Sequence, residues 1–153
     1  MKKYISIILL FFVASMSQAQ SNLDEINLMQ SIFGMDKKEV VAGYVEFSPA
    51  QEDAFWKLYN EYEAKRRDLG QERVVLLRQY FDEHETMGSA EADAWTKKVI
   101  TLQQKTDKLI SSYYGKILKI SDGVVATQFY QIENYVLGEI RAAILETIPF
   151  IKK

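Results

Sequence analysis

The sequence predicts an all-α protein built as elongated antiparallel helical hairpins, with three long helices, shorter helices before them and a coiled-coil-like shape. Three observations predict it. Proline occurs only at Pro49 and Pro149 and glycine seven times in 153 residues, so long stretches carry no helix breaker. No run of β-branched residues alternates in the manner of a strand. After residue 20, apolar residues recur at steps of three and four along most of the chain.

The first nineteen residues stand apart. Lys2 and Lys3 precede the apolar run "YISIILLFFVA", which is short for a membrane span, and Ser17-Gln18-Ala19 places small residues at the −3 and −1 positions of a cleavage site. Residues 1–19 therefore read as a secretory signal peptide and 20–153 as a single helical domain. An uncleaved N-terminal anchor is the alternative. Cleavage before Gln20 would leave 17 basic against 21 acidic side chains, moving the net charge from −2 to −4. The absence of cysteine excludes a disulfide framework and a lipidated cysteine anchor, so the domain must fold by packing alone. No second apolar run of membrane length follows, and no stable membrane span is expected after cleavage.

Asn22 and Glu25 have capping-box spacing ahead of Leu23, Ile26, Met29, Ile32 and Phe33, with Gly34 as a stop. Asp36 and Glu39 offer a second start, followed by Val40, Val41 and Tyr44. The first long helix opens at "FSPAQ": Ser48 caps, Pro49 suits a position that needs no donor, and Gln51 completes a box. Its stripe is Phe55, Leu58, Tyr59, Tyr62, Leu69, Leu76, Leu77 and Tyr80, and it extends to about Glu85 across Gly70, where a kink has its natural place. Ser89 is the expected cap of the next helix, about Ala90 to Leu118, with Trp95, Val99, Leu102, Thr106, Leu109, Tyr113 and Ile117 on one face. Ser121 or Asp122 then caps the last, whose stripe is Val125, Phe129, Ile132, Val136, Ile140 and Ala143 and which ends before Pro149. Short connections between long helices imply antiparallel neighbours.

Catalytic signatures are scarce, and a non-enzymatic chain without cofactor or metal is expected. The single histidine, His84, lies among Asp82, Glu83 and Glu85, but a zinc site needs three or four positioned ligands. Phosphate loops and nucleophile elbows are missing, and the acidic pairs Asp82/Glu83 and Glu61/Glu63 read as solvated charge. Glu133 falls at the flank of the last apolar stripe. Two readings stay open there, a rim carboxylate paired with Lys or Arg and a buried carboxylate with a raised pKa.

Two features could carry binding. Lys97, Lys98, Lys105, Lys108, Lys116 and Lys119 fall within an arc of about 100° on an ideal helix, joined by one acid, Asp107. That strip is either a solvated face or a surface that attracts acidic segments of a partner protein over about 10 Å. Nucleic acid is not an expected partner of an exported, net acidic chain with no such motif. The second feature is the adjacent aromatic pairs Phe55-Trp56, Tyr80-Phe81, Tyr113-Tyr114 and Phe129-Tyr130. Neighbours on a helix point about 100° apart, so either the apolar face is broad or one ring of each pair faces a second surface. Trp56, Phe81, Tyr114 and Tyr130 are the candidates for partner contact.

Phe47-Ser48-Pro49-Ala50-Gln51 is similar to the Leu-Thr-x-x-Gln motif of the Spy/CpxP family of periplasmic helical proteins. Ile120-Ser121-Asp122-Gly123-Val124 resembles a second copy that lacks the Gln. The resemblance implies a cradle-shaped antiparallel homodimer in a Gram-negative periplasm, with secretion as the alternative. Its members hold unfolded client proteins without ATP, through apolar patches ringed by positive charge. Metal-sensing relatives use several histidines, and this chain has one. The expectation is an exported protein-binding module of chaperone type. A stress sensor or adaptor with one specific partner is the rival, and a small metal-binding protein or hydrolase is the rival from another class.

Overall fold

Two of the helix starts are set by side chains that satisfy backbone groups left free in the first turn. A computed structural model of the chain describes residues 37–151, together with Asp24. It is all-α, with four helices packed as a bundle: α1 over residues 37–44, α2 Pro49–Glu83, α3 Ser89–Ile120 and α4 Gly123–Thr147. The expected signal peptide, the Asn22/Glu25 cap pair with its stripe and stop at Gly34, and Asp36 lie outside the described residues. None of the described helices is long and apolar enough to cross a membrane.

The start of α2 follows the expected grammar. Ser48 is extended, with Pro49 first in the helix and Gln51 completing a capping box. Gln51 Oε1 accepts from the Ser48 amide and hydroxyl, both at 3.0 Å. The helix runs unbroken through Gly70 and stops at Glu83, two residues short of Glu85. His84 ends it: its amide donates to the Tyr80 carbonyl at 2.8 Å, and its ring stacks on Tyr80.

One cap differs from the sequence reading, and at another the structure decides between two candidates. Gly88, not Ser89, caps α3: the Gly88 carbonyl accepts the Ala92 amide at 3.0 Å, so Ser89 already belongs to the helix. The tight turn after Glu83 leaves Gly88 as the last extended residue. Asp122, not Ser121, caps α4. Its Oδ1 accepts from the Val124 and Val125 amides at 2.8 and 3.1 Å. Ser121 instead closes α3, donating its hydroxyl to the Ile117 carbonyl at 2.7 Å. A carboxylate is the stronger choice at a helix start, where the dipole favours negative charge.

Side-chain contacts give the directions. Tyr62 packs on Tyr113, Lys105 pairs with Glu72, and the Trp95 indole donates to the Leu76 carbonyl at 2.9 Å. Partners thus move down α3 as they move up α2, and the two helices are antiparallel. Phe129 packs on Tyr59 and Tyr62 while the Tyr80 hydroxyl donates to the Pro149 carbonyl, so α4 runs with α2. The core follows the helical stripes: Phe55, Tyr59, Tyr62 and Leu77 of α2 meet Ile110, Tyr113 and Ile117 of α3 and Val125, Phe129, Val136 and Ile140 of α4. Burying each such side chain contributes about 1.5–3 kcal/mol. Val41 and Val45 bring the α1 segment into the same core, and the Gln128 side chain accepts the Glu46 amide at 3.0 Å.

The caps make a direct test. Ser48→Ala and Asp122→Ala should each cost about 1 kcal/mol in urea denaturation, while Ser89→Ala should stay within about 0.5 kcal/mol of the parent.

Candidate functional site

On α2, the stripe that begins with Phe55, Tyr59 and Tyr62 continues onto charged residues. Glu63 lies four residues after Tyr59, and Arg66 four after Tyr62, so both face the interior. On α4, Glu133 lies four residues after Phe129 and is fully buried. It is paired, as one reading expected, but in the core and not at the rim. Lys37, from α1, reaches between the two acids and is 2% exposed. Its Nζ donates to Glu63 Oε1 at 2.7 Å and to Glu133 Oε2 at 2.5 Å. Arg66 adds two bonds to Glu63, from Nε at 2.9 Å and Nη2 at 3.2 Å. The Tyr62 hydroxyl donates to Glu133 Oε2 at 2.6 Å and the Tyr59 hydroxyl to Oε1 at 3.3 Å.

Two cations and two anions cancel, and each carboxylate is held by several donors. That is the condition under which buried charge is tolerated. Burial pushes the Glu63 carboxyl up, but Lys37 and Arg66 outweigh it and hold it below its ordinary value. Burial also disfavours the Arg66 charge, and its bonds to Glu63 more than restore it. Burial first, then Glu133, lifts the Tyr59 and Tyr62 hydroxyls well above the usual tyrosine range. The cluster lines neither of the two clefts described below. Its role is to fasten α1 to α2 and α4.

The surface features lie elsewhere. Lys97, Lys98 and Lys105 stand around a groove of about 460 Å³ whose apolar lining is Val75, Leu76 and Leu102. Lys97 pairs with Asp93 at 2.6 Å and Lys105 with Glu72 at 2.8 Å, both pairs well exposed. Lys108 and Lys119 are exposed, whereas Lys116 is half-buried, its Nζ 4.1 Å from the centroid of the Tyr113 ring. The six lysines share a helix, and Lys97, Lys98 and Lys105 line this groove together.

In each aromatic pair the first ring is buried: Phe55, Tyr80, Tyr113 and Phe129. The second rings are mostly occupied. Trp56 packs edge-on to Phe47, Phe55 and Tyr59, beneath the Lys38 ammonium. Phe81 packs against the core, and Tyr114 meets Tyr130 edge-on at 6.1 Å. Tyr130 is the exposed member of the set. The apolar face is therefore broad, and it absorbs most of the second rings.

Sequence reasoning passed over Lys37 and Arg66 and read Glu63, with Glu61, as solvated charge; Glu61 is exposed, but Glu63 is buried because it sits one turn after Tyr59 on the core-facing stripe. The signal was present, since Glu63 and Arg66 prolong an apolar stripe at its own spacing. Their partner Lys37 carries no such mark, because nothing local says that this lysine, and not its neighbour Lys38, will enter the core.

Lys37→Met and Glu133→Leu should each cost about 3–5 kcal/mol by urea denaturation, and the double variant less than their sum, because each single change leaves buried charge unpaired. The depressed Glu63 carboxyl stabilises the fold above its ordinary pKa of 4.5 and loses that contribution as pH falls below it. The raised tyrosines act in the opposite sense: their contribution is complete below their ordinary pKa of 10.0 and is lost as pH rises beyond it. Glu63→Gln should therefore flatten the acid limb of a stability–pH curve, and Tyr59→Phe the alkaline limb. The Tyr113 hydroxyl is buried without a hydrogen-bond partner among the described residues. Tyr113→Phe should thus leave stability within about 0.5 kcal/mol of the parent, whereas Tyr62→Phe should cost about 1–3 kcal/mol. Compared with known proteins, the chain matches no family model, no curated protein and no solved structure.

Proposed function

We propose that the chain is an exported, non-enzymatic protein-binding module that holds partly unfolded clients without ATP, in the manner of the Spy/CpxP family it resembles. The observation that carries this reading is the groove between α2 and α3, where Lys97, Lys98 and Lys105 surround the apolar side chains of Val75, Leu76 and Leu102. Val75 and the nearby Ile100 are more than half exposed, which leaves apolar surface beside positive charge. Exposed ion pairs such as Lys105–Glu72 contribute little, so a client carboxylate can replace the internal acid at small cost. Charge speeds the encounter and apolar contact provides the hold. In this reading the α2–α3 pair is an elongated, coiled-coil-like hairpin, and two chains assemble as an antiparallel dimer.

The chain should suppress aggregation of several unrelated clients at near-stoichiometric ratios, and less so as salt is raised. Lys97→Gln, Lys98→Gln and Lys105→Gln together should reduce protection about as much as high salt does, because both remove the same attraction. Protection of no client would sink the reading, and tight capture of one partner with no general protection would favour a dedicated adaptor. The mass in solution, measured alongside, should be that of a dimer; a strict monomer counts against the cradle.

A further inference from the structure

A second cleft lies on the α4 side of the α2–α3 pair, away from the lysine groove. It measures about 170 Å³ and forms where the last turns of α4 meet the other two helices. Trp95, Val99, Ile144 and Ile148 supply apolar walls, and Arg73 and Arg141 also stand in its lining. Neither guanidinium forms a salt bridge among the described residues. Burial disfavours the Arg73 charge, and the nearby Arg141 and Arg66 guanidinium groups disfavour it further. The fold therefore sets two like charges beside an apolar cleft with no resident anion among the described residues.

We propose that this cleft binds a single-chain amphiphile with a carboxylate head, held by Arg73 and Arg141, with its alkyl chain against Trp95, Val99, Ile144 and Ile148. One carboxylate offers acceptors to both planar forks and relieves their repulsion. A volume well under the roughly 300–1,000 Å³ of ordinary ligand pockets favours a short alkyl chain over a two-chain lipid. An anionic head suits the two arginines, and the apolar walls leave a purely polar anion without half of its contacts.

Trp95 is a built-in reporter. The only other tryptophan, Trp56, packs among the aromatics near Phe47, so Trp56→Phe leaves Trp95 as the sole indole. Brominated decanoate titrated into the full Trp56→Phe chain should quench Trp95 fluorescence saturably, below the micelle concentration. Adding Arg141→Gln, an exposed change, or Arg73→Gln should weaken binding about tenfold each. The Lys97→Gln/Lys98→Gln/Lys105→Gln triple variant should bind as before, which separates this cleft from the client-binding groove. A brominated alkyl chain with a quaternary ammonium head should not quench. The proposal is overturned by quenching that does not saturate, by unchanged affinity in both arginine variants, by an equal loss in the lysine variant, or by equal quenching with the cationic head.

Discussion

The bundle depends on a neutral set of buried charges. Lys37, Glu63, Arg66 and Glu133 are each less than a tenth exposed, and two tyrosine hydroxyls complete the hydrogen bonding. Removing four charges from water is costly, and only close opposite charges with well-formed bonds offset that cost. The geometry is correspondingly demanding. Glu133 must lie level with Tyr59 and Tyr62, and Lys37 must arrive between the two acids. A one-turn slip of α4 moves Glu133 by about 5.4 Å and breaks all three of its bonds. Apolar stripes alone would accept such a slip more readily, since Val, Ile and Phe repack with little directional preference. The charges therefore define the register of α4 on α2.

The cluster also explains why the two ends of the α2–α3 pair differ. Near the start of α2, the α1 segment lies across the core, and Phe47, Phe55, Trp56, Tyr59, Tyr62 and Phe129 pack ring against ring. Towards the other end, the described residues form two concave surfaces. One side becomes the lysine-rimmed groove and the other the arginine cleft, both using Leu76 and Leu102 as common apolar ground. Buried, fully paired charge thus holds one end together, while the other end carries two concave surfaces lined in part by basic side chains.

Much of this was legible in the chain itself. The three long helices follow from stripes at steps of three and four, and the α2 start follows from Ser48, Pro49 and Gln51. Capping was less secure wherever neighbouring residues competed. Ser121 beside Asp122 left two caps open, and the carboxylate took the amides while the hydroxyl turned back to Ile117. Gly88 beside Ser89 was decided by the turn geometry after Glu83, which no side-chain preference encodes. The lysine strip was visible as an arc on a helical wheel. Which of its members share a groove depends on where α2 lies against α3.

The sequence by itself determined the helices, their lengths and most of their buried faces, because periodicity and capping are local properties read over a few turns. It also supplied every ingredient of the sites, down to a carboxylate at the edge of an apolar stripe. Only the tertiary structure decided that Glu133 is buried and that Lys37 is its partner, across a separation of 96 residues. It decided as well that Arg73 stands near Arg141 and that Trp56 is mostly covered. These outcomes are pairings between distant segments. Their energies depend on packing, dielectric and the position of a third group, and none of those is a property of any single stretch of chain.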